Sequence, residues 1–396
     1  LNQFLQNNTG KIVQLTQDIQ VYKNTNGSFG IIMVPSDTIL DGNGHRLVMK
    51  AGYTKAPDVG VVLYVYKDGV IPSTNCGVKN LSTDIPYVNS INVFSADNIL
   101  IENNTLNNAT KSGIMISDEY GSTVNGIIRG NTINNVGDDA IAVYGNHSNL
   151  LIDSNRISGA KGFAGIAISC LQNGQQIRVD NETTGPHDII VTGNVVSGCS
   201  GEALYCIGSY KTYITYNTLR DSILEGVCLD SGCIGNYFAH NEVVNNGIAG
   251  GLPGVSIDNG IYNIVDSNNV YNNSCSGIKL VRTGLGNIIV NNICTDNAYN
   301  QMGAKSSGID IEPLAVETEN LGYIDGLGSN WNVVLNNTVT GSHDFGVFIA
   351  DDDTANNGGS SCKNVIMYNK FSSAYTFGAA DFSSMSSTVK NNITLN

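Results

Sequence analysis

From about residue 90 onward, short apolar runs alternate with turns rich in Asn and Gly, and no long segment keeps the helical period of about 3.6 residues. The chain aligns on an Asn that follows a short apolar strand and precedes an aliphatic or aromatic residue by two positions. Ten rungs result: Asn104, Asn131, Asn155, Asn194, Asn217, Asn241, Asn268, Asn291, Asn337 and Asn369. The closest spacings, 23 to 27 residues, correspond to one β-helix coil per repeat. In seven of the ten coils a small residue nine positions after the Asn opens a second strand: Gly113, Ala140, Ala203, Gly226, Gly277, Gly346 and Gly378. Gly165 comes one residue late, and Gly254 and Gly308 follow insertions. Such a fixed distance is what neighbouring backbones need if each coil is to place its turn at the same height and pair. The recurring Asn suits a turn that tolerates left-handed dihedrals, where side-chain amides of successive coils stack as a hydrogen-bonded ladder.

Within the strand led by the small residue, the first and third positions are apolar in nearly every coil, as in Ile114/Ile116, Val227/Leu229, Val255/Ile257 and Ile309/Ile311. Period-two alternation sends these side chains inward. The pattern predicts an all-β chain, a single-stranded right-handed parallel β-helix with about ten or more coils. One domain is expected over residues 1–396, with regular coils at 91–385, a C-terminal end at 386–396 and irregular first coils at 1–90. In that first part, Ile31-Ile32-Met33-Val34 and Leu47-Val48-Met49 flank the turn-rich Asp41-Gly42-Asn43-Gly44, with an N-terminal cap over the exposed edge.

Composition narrows the function classes. Charged residues make up only 14% of the chain, which argues against long amphipathic helices. The net charge of −14 and the absence of any Lys/Arg run make nucleic acid a poor partner. No stretch approaches the roughly 18 apolar residues of a membrane span, and Leu1 to Lys11 lack the features of a signal peptide. The expectation is a secreted or cell-surface bacterial protein, with a trimmed N-terminus and an additional domain or subunit left open. Nine cysteines, an odd number without CxxC spacing, leave at least one unpaired and give no support for a zinc site; most are expected as small buried residues. No cofactor or metal is expected.

The second and fourth residues of each small-residue-led strand point outward and describe one face of the cylinder. The second column runs Met115, Ala142, Ala167, Tyr205, Cys228, Ser256, Lys279, Asp310 and Phe348, and the fourth runs Ser117, Tyr144, Ser169, Ile207, Asp230, Asp258, Val281, Glu312 and Ala350. Asp230 and Asp258 share a column on adjacent coils, about 5 Å apart given a strand spacing of roughly 4.8 Å. Like charges so placed destabilise a sheet unless their protonation is split, a cation is bound, or a base such as Lys279 lies nearby. Asp310 and Glu312 face the same side, about 6 to 7 Å apart along one strand. Lys279 and Arg282 lie between the two carboxylate pairs, positioned to hold them ionised or to clamp a substrate oxygen. Insertions at 241–254 and 291–308, and the excursion after Glu312, are expected to wall this face into a cleft bordered by residues 243–253 and 292–307. Tyr205, Tyr210, Tyr237, Tyr262 and Trp331 are candidates for stacking against sugar rings.

The ladder and apolar columns, over about two thirds of the chain, resemble the pectin-lyase-like superfamily of parallel β-helix proteins, and the resemblance implies a carbohydrate-active enzyme. Leu252-Pro253-Gly254-Val255-Ser256-Ile257-Asp258-Asn259 with Gly277-Ile278-Lys279 is similar to β-helix lacto-N-biosidases, which use two aspartates. Gly137-Asp138-Asp139 resembles the paired-Asp element of polygalacturonases, but Gly145-Asn146-His147 and Arg156-Ile157-Ser158 do not match the partner motifs. Pro186-His187-Asp188 resembles part of the Asp-Pro-His-Asp element of alginate epimerases, with Gly185 in place of the leading Asp. Turn chemistry explains both.

The leading expectation is a glycoside hydrolase with Asp230 and Asp258 catalytic, their short separation favouring retention, and with Asp310, Glu312, Lys279, Arg282, Ser256, Asn259 and Tyr205 binding substrate. A working pair of Asp258 and Glu312, two coils or roughly 9 to 10 Å apart, would instead favour inversion. One alternative is a polysaccharide lyase or epimerase in which Lys279 or Arg282 abstracts the proton α to a uronate carboxyl and the aspartates hold calcium. Another is a non-catalytic glycan-binding adhesin or fibre segment.

Overall fold

The computed structural model describes residues 1–22, 31–53, 58–66, 70–172, 175–176, 185–298, 307–313, 328–341, 343–350, 361–372, 377–383 and 387–395. Its residues group into two compact units, one running to Val196 and one from Ser197. In each, a coil contributes one strand to each of three parallel sheets, so that sheet neighbours are strands about one repeat apart in sequence. This is the expected parallel β-helix.

In the first unit the edge strand Ile32–Met33 is covered by the short helix Asn2–Gln6. Asn2 donates to the Ile31 carbonyl at 2.7 Å and accepts from the Met33 amide at 3.0 Å, so one side chain satisfies backbone groups that a bare edge would leave open. Leu5 is fully buried beneath it. The helix Asn2–Gln6 thus covers the first coil, whose strands Ile12–Gln14 and Ile19–Val21 pair with Ile39–Asp41 and Arg46–Met49 of the next.

The second unit carries the carboxylates. The sheet that bears them pairs Glu202–Ile207, Val227–Asp230, Val255–Asp258, Ile278–Val281, Ser307–Ile311, Phe345–Ile349 and Phe377–Asp381 in order. The expected inward columns are completely buried, including Val227/Leu229, Val255/Ile257, Ile278/Leu280, Ile309/Ile311 and Val347/Ile349. Each such side chain contributes about 1.5–3 kcal/mol of burial. The leading glycines answer to space. A Cβ on Gly308 would lie 2.1 Å from Val339 Cγ1, and one on Gly346 would lie 2.2 Å from Phe371 Cδ1 and 2.4 Å from the Gly378 carbonyl.

The Asn ladder is real but differs from the expectation in two respects. Rung Asn268 bonds to Asn292, not Asn291: its backbone and side-chain nitrogens both donate to Asn292 Oδ1 at 2.9 Å. Nor are the rungs left-handed. The positive φ belongs to the residue just before each rung, as in Asn103, Ser154, Tyr216, His240, Ser267, Asn291, Asn336 and Tyr368. With that turn taken by its predecessor, the rung side chain is free to point inward and satisfy buried backbone groups. Two further ladders occupy the other corners of the second unit: Asn236, Asn263, Asn287, Asn332 and Asn364, and Asn246, Asn273 and Asn297. All nine cysteines are buried, as most were expected to be.

Candidate functional site

The backbone register places Asp230 opposite Asp258, at the ends of Val227–Asp230 and Val255–Asp258. The next two pairs are Ser256 opposite Lys279 and Lys279 opposite Asp310. The outward columns read from the sequence are thus those of the fold, and these charged groups share one face of one sheet.

The two aspartates sit in different surroundings. Asp230 accepts from the Tyr205 hydroxyl at 2.7 Å, from the Ser231 hydroxyl at 2.7 Å and from the Ser231 amide at 2.6 Å, three donors suited to an anion. Asp258 is more enclosed. Burial and the neighbouring Asp230 push its carboxyl up to about 7, outweighing Arg282, whose guanidinium lies 2.9 Å from Asp258 Oδ2. Asp258 Oδ1 is buried without a hydrogen-bond partner. Arg282 reaches back to Asp258 from a backbone φ of 62°, a strained setting for a residue that size. Burial and Asp230 also raise the Tyr205 hydroxyl, which therefore stays a donor.

The second carboxylate pair is organised separately. Lys279 Nζ lies 2.7 Å from Glu312 and 3.9 Å from Asp310. Asp310 is 1% exposed, accepts from Ser276 Oγ at 3.3 Å, and leaves Oδ1 unpartnered. Burial, with Glu312 alongside, raises its carboxyl far above the usual range. Asp310 and Glu312 keep Lys279 protonated against the opposing effect of burial. Of the two bases expected between the carboxylate pairs, Lys279 pairs with Asp310 and Glu312, and Arg282 pairs with Asp258.

Glu225 is an addition that the columns did not yield. It precedes Gly226, in the phase of the inward residues, and burial followed by the Asp230 charge raises its carboxyl. Ser256 and Asn259 lie on this face but are almost fully covered, at 4% and 5% exposure. Of the candidate aromatic residues, Tyr262 and Trp331 are exposed, Tyr205 and Tyr237 half-buried, and Tyr210 buried, against the expectation of an exposed ring. Of the expected walls, 243–253 is described and 299–306 lies outside the described residues, as does most of the excursion after Glu312.

The weaker motifs are structural. Asp139 is buried, accepts from the Tyr144 hydroxyl and from the Ala164 amide, and its carboxyl is pushed up to about 6 by burial. His147 is buried and accepts from the Thr123 amide at 2.9 Å, while His187 closes a turn on the Gly185 carbonyl.

The register and the buried columns define a right-handed parallel β-helix. Residues 73–184 match the family model described as the right handed beta helix region. No curated protein matches the chain in sequence. Solved structures share the fold at low identity. A tailspike protein mutant of Escherichia coli bacteriophage HK620, in complex with a hexasaccharide, is 15% identical at a TM-score of 0.60, over 96% of this chain and 73% of that one. The A-module of Azotobacter vinelandii mannuronan C-5 epimerase AlgE6 is 14% identical at a TM-score of 0.53, over 97% and 90%. The periplasmic alginate epimerase AlgG is 12% identical at 0.52, over 92% and 77%.

Proposed function

We propose that the chain is a glycoside hydrolase in which Asp258 is the general acid and Asp230 the nucleophile, acting with retention of configuration. The observation that carries this reading is the contrast between two carboxyls in register on adjacent coils. One is enclosed and holds its proton to about pH 7; the other is surrounded by three donors. Environments that set paired carboxyls apart in this way divide acid from nucleophile. Their separation, about 5 Å from the strand spacing, suits direct attack at the anomeric carbon rather than a water between the groups.

In the first step Asp258 gives its proton to the leaving glycosidic oxygen while Asp230 attacks the anomeric carbon. In the second, the Asp258 carboxylate takes a proton from water as that water displaces Asp230. Arg282 orients Asp258 and stabilises it once ionised. Tyr205 and Ser231 fix Asp230. Lys279 and Glu312 offer charged contacts to substrate hydroxyls beside the bond to be broken, with Asp310 buried behind them as a partner that fixes Lys279. The neighbour solved with a hexasaccharide supports a glycan ligand for this fold.

The epimerase neighbours give the lyase or epimerase reading its support. Against it, Lys279 is held protonated in its ion pairs and an Arg is always charged, so neither is ready to take a proton. Incubation with a glycan panel and NMR of the first product tests the proposal. A product that retains the anomeric configuration is expected; an unsaturated or C-5-inverted uronate would replace hydrolysis with the second reading.

A further inference from the structure

Between the carboxylate sheet and the next sheet, each coil of the second unit turns through one residue of positive φ, placed just before a rung of the Asn236–Asn364 ladder. The column reads Gly235 (62°), Tyr262 (56°), Gly286 (61°), Trp331 (54°) and Lys363 (57°). Glycine enters this conformation freely, whereas a bulky side chain is an outlier there. Two neighbouring coils use glycine, and two place large rings at the same corner.

Those rings are not there to fill a core. Tyr262 is 64% exposed and Trp331 54%. Tyr262 lies flat along the surface, because a Cβ on Gly286 would come within 2.7 Å of its Cδ1 and Cε1; only glycine lets the ring rest on the backbone of the next coil. The indole of Trp331 is held by the Lys363 ammonium, 4.9 Å from the ring centroid. The two rings stand two coils apart, about 10 Å along the axis. Tyr262 follows Asp258 by four residues in the same coil, so the column runs beside the carboxylates.

We infer that Tyr262 and Trp331 form a stacking platform for sugar rings of a neutral glycan, engaging residues of the chain outside the bond that is cleaved. Sugar rings present apolar C–H faces, and an exposed aromatic plane is their complement. Two exposed rings on alternate coils of one corner, with Tyr262 seated flat on the next coil, present open faces rather than core packing. A spacing of two coils lets alternate sugars of an extended strand meet the two rings, and the carboxylate-rich face alongside favours a strand without charge of its own. The inference deepens the proposed glycosidase by supplying its distal substrate contacts.

Trp331 is the chain's one tryptophan, so emission excited beyond the tyrosine absorption band reports on its indole alone. Titration with neutral hexasaccharides of glucose, xylose, mannose and N-acetylglucosamine should quench or shift its emission with at least one of them. Calorimetry on Tyr262→Gly and Trp331→Gly should show about ten-fold weaker binding for each, the loss of one stacked ring. Both variants should melt at or above the wild-type temperature, since glycine is what the adjacent coils already use. Emission unmoved by every hexasaccharide overturns the inference. So does a lower melting temperature with unchanged binding, which would make the rings structural cover, or a change in sedimentation from oligomer to monomer, which would make them a contact between copies of the chain. Binding is read without turnover: quenching by a hexasaccharide that is not cleaved would leave the platform standing and remove the hydrolase, whereas cleavage without quenching would do the reverse.

Discussion

Replacing Asp258 by Asn tests the proposed acid through stability as well as turnover. The folded carboxyl titrates near 7 against 3.8 for a free side chain. The sign follows from linkage. Below pH 3.8 the group is protonated in both states and contributes nothing. Between 3.8 and about 7 the unfolded chain ionises while the folded one keeps its proton, so stability falls as pH rises; above 7 the loss is complete. About three pH units at 1.36 kcal/mol each make that loss about 4 kcal/mol at most. The side chain is 19% exposed, so residual solvation leaves 2 to 4 kcal/mol as the range to expect, on the order of the shift itself. In Asp258→Asn this component disappears, so the variant's stability relative to wild type should rise by about 2 to 4 kcal/mol between pH 4 and pH 8. Taking the difference between two pH values removes the constant cost of stripping Arg282 of its partner. The assay is urea unfolding of both proteins at each pH. Turnover on the cleaved glycan should fall by roughly 10²- to 10⁴-fold, the usual contribution of a general acid. Relative stability that does not change with pH would mean that Arg282 keeps Asp258 ionised in the folded protein, and the assignment of the acid would fail with it.

Tyr205→Phe removes one charged hydrogen bond from Asp230 and should lower kcat by about ten-fold or more with the fold intact, as steady-state kinetics would show. The wild-type kcat should decline on the alkaline side with an apparent pKa near 7, as Asp258 loses its proton, and a profile flat through pH 8 would count against it. Lys279→Met leaves Glu312 and Asp310 without their cation and should cost roughly 3 kcal/mol in denaturant unfolding. Asn268→Ala deletes side-chain bonds to Asn292 and to the Phe238 carbonyl; stability should drop by about 2 to 3 kcal/mol, while turnover per folded molecule stays unchanged.

The coil repeat and the register of Asp230 with Asp258 were legible because both depend on counting. Alternation of period two and a constant distance from Asn to Gly fix which side chains face out and which of them meet. Corners obey no such rule. Glu225 stands in an inward phase, in the turn before Gly226, yet its carboxyl feels the Asp230 charge. Arg282 likewise reaches Asp258 through a left-handed corner rather than along a strand. The two extra ladders did carry a signal. Asn236/Asn241/Asn246, Asn263/Asn268/Asn273 and Asn287/Asn292/Asn297 recur at intervals of five residues, one short strand between corners. That spacing also identifies Asn292, rather than Asn291, as the rung. Burial of Asp258 and Asp310 depends on how coils close over them, which alternation alone does not fix.

The three ladders limit how such a chain can change over evolutionary time. Deleting or inserting one residue within a short strand would shift the rung at the following corner and break bonds to the coils above and below. Loss or duplication of a whole coil keeps every rung in phase. Variation that preserves the fold is thus confined to complete coils and to the unpinned stretches between ladder and strand, such as 247–253. The stretch 247–253 leads directly into the strand Val255–Asp258, so the segments most free to drift adjoin the strands that carry the carboxylates.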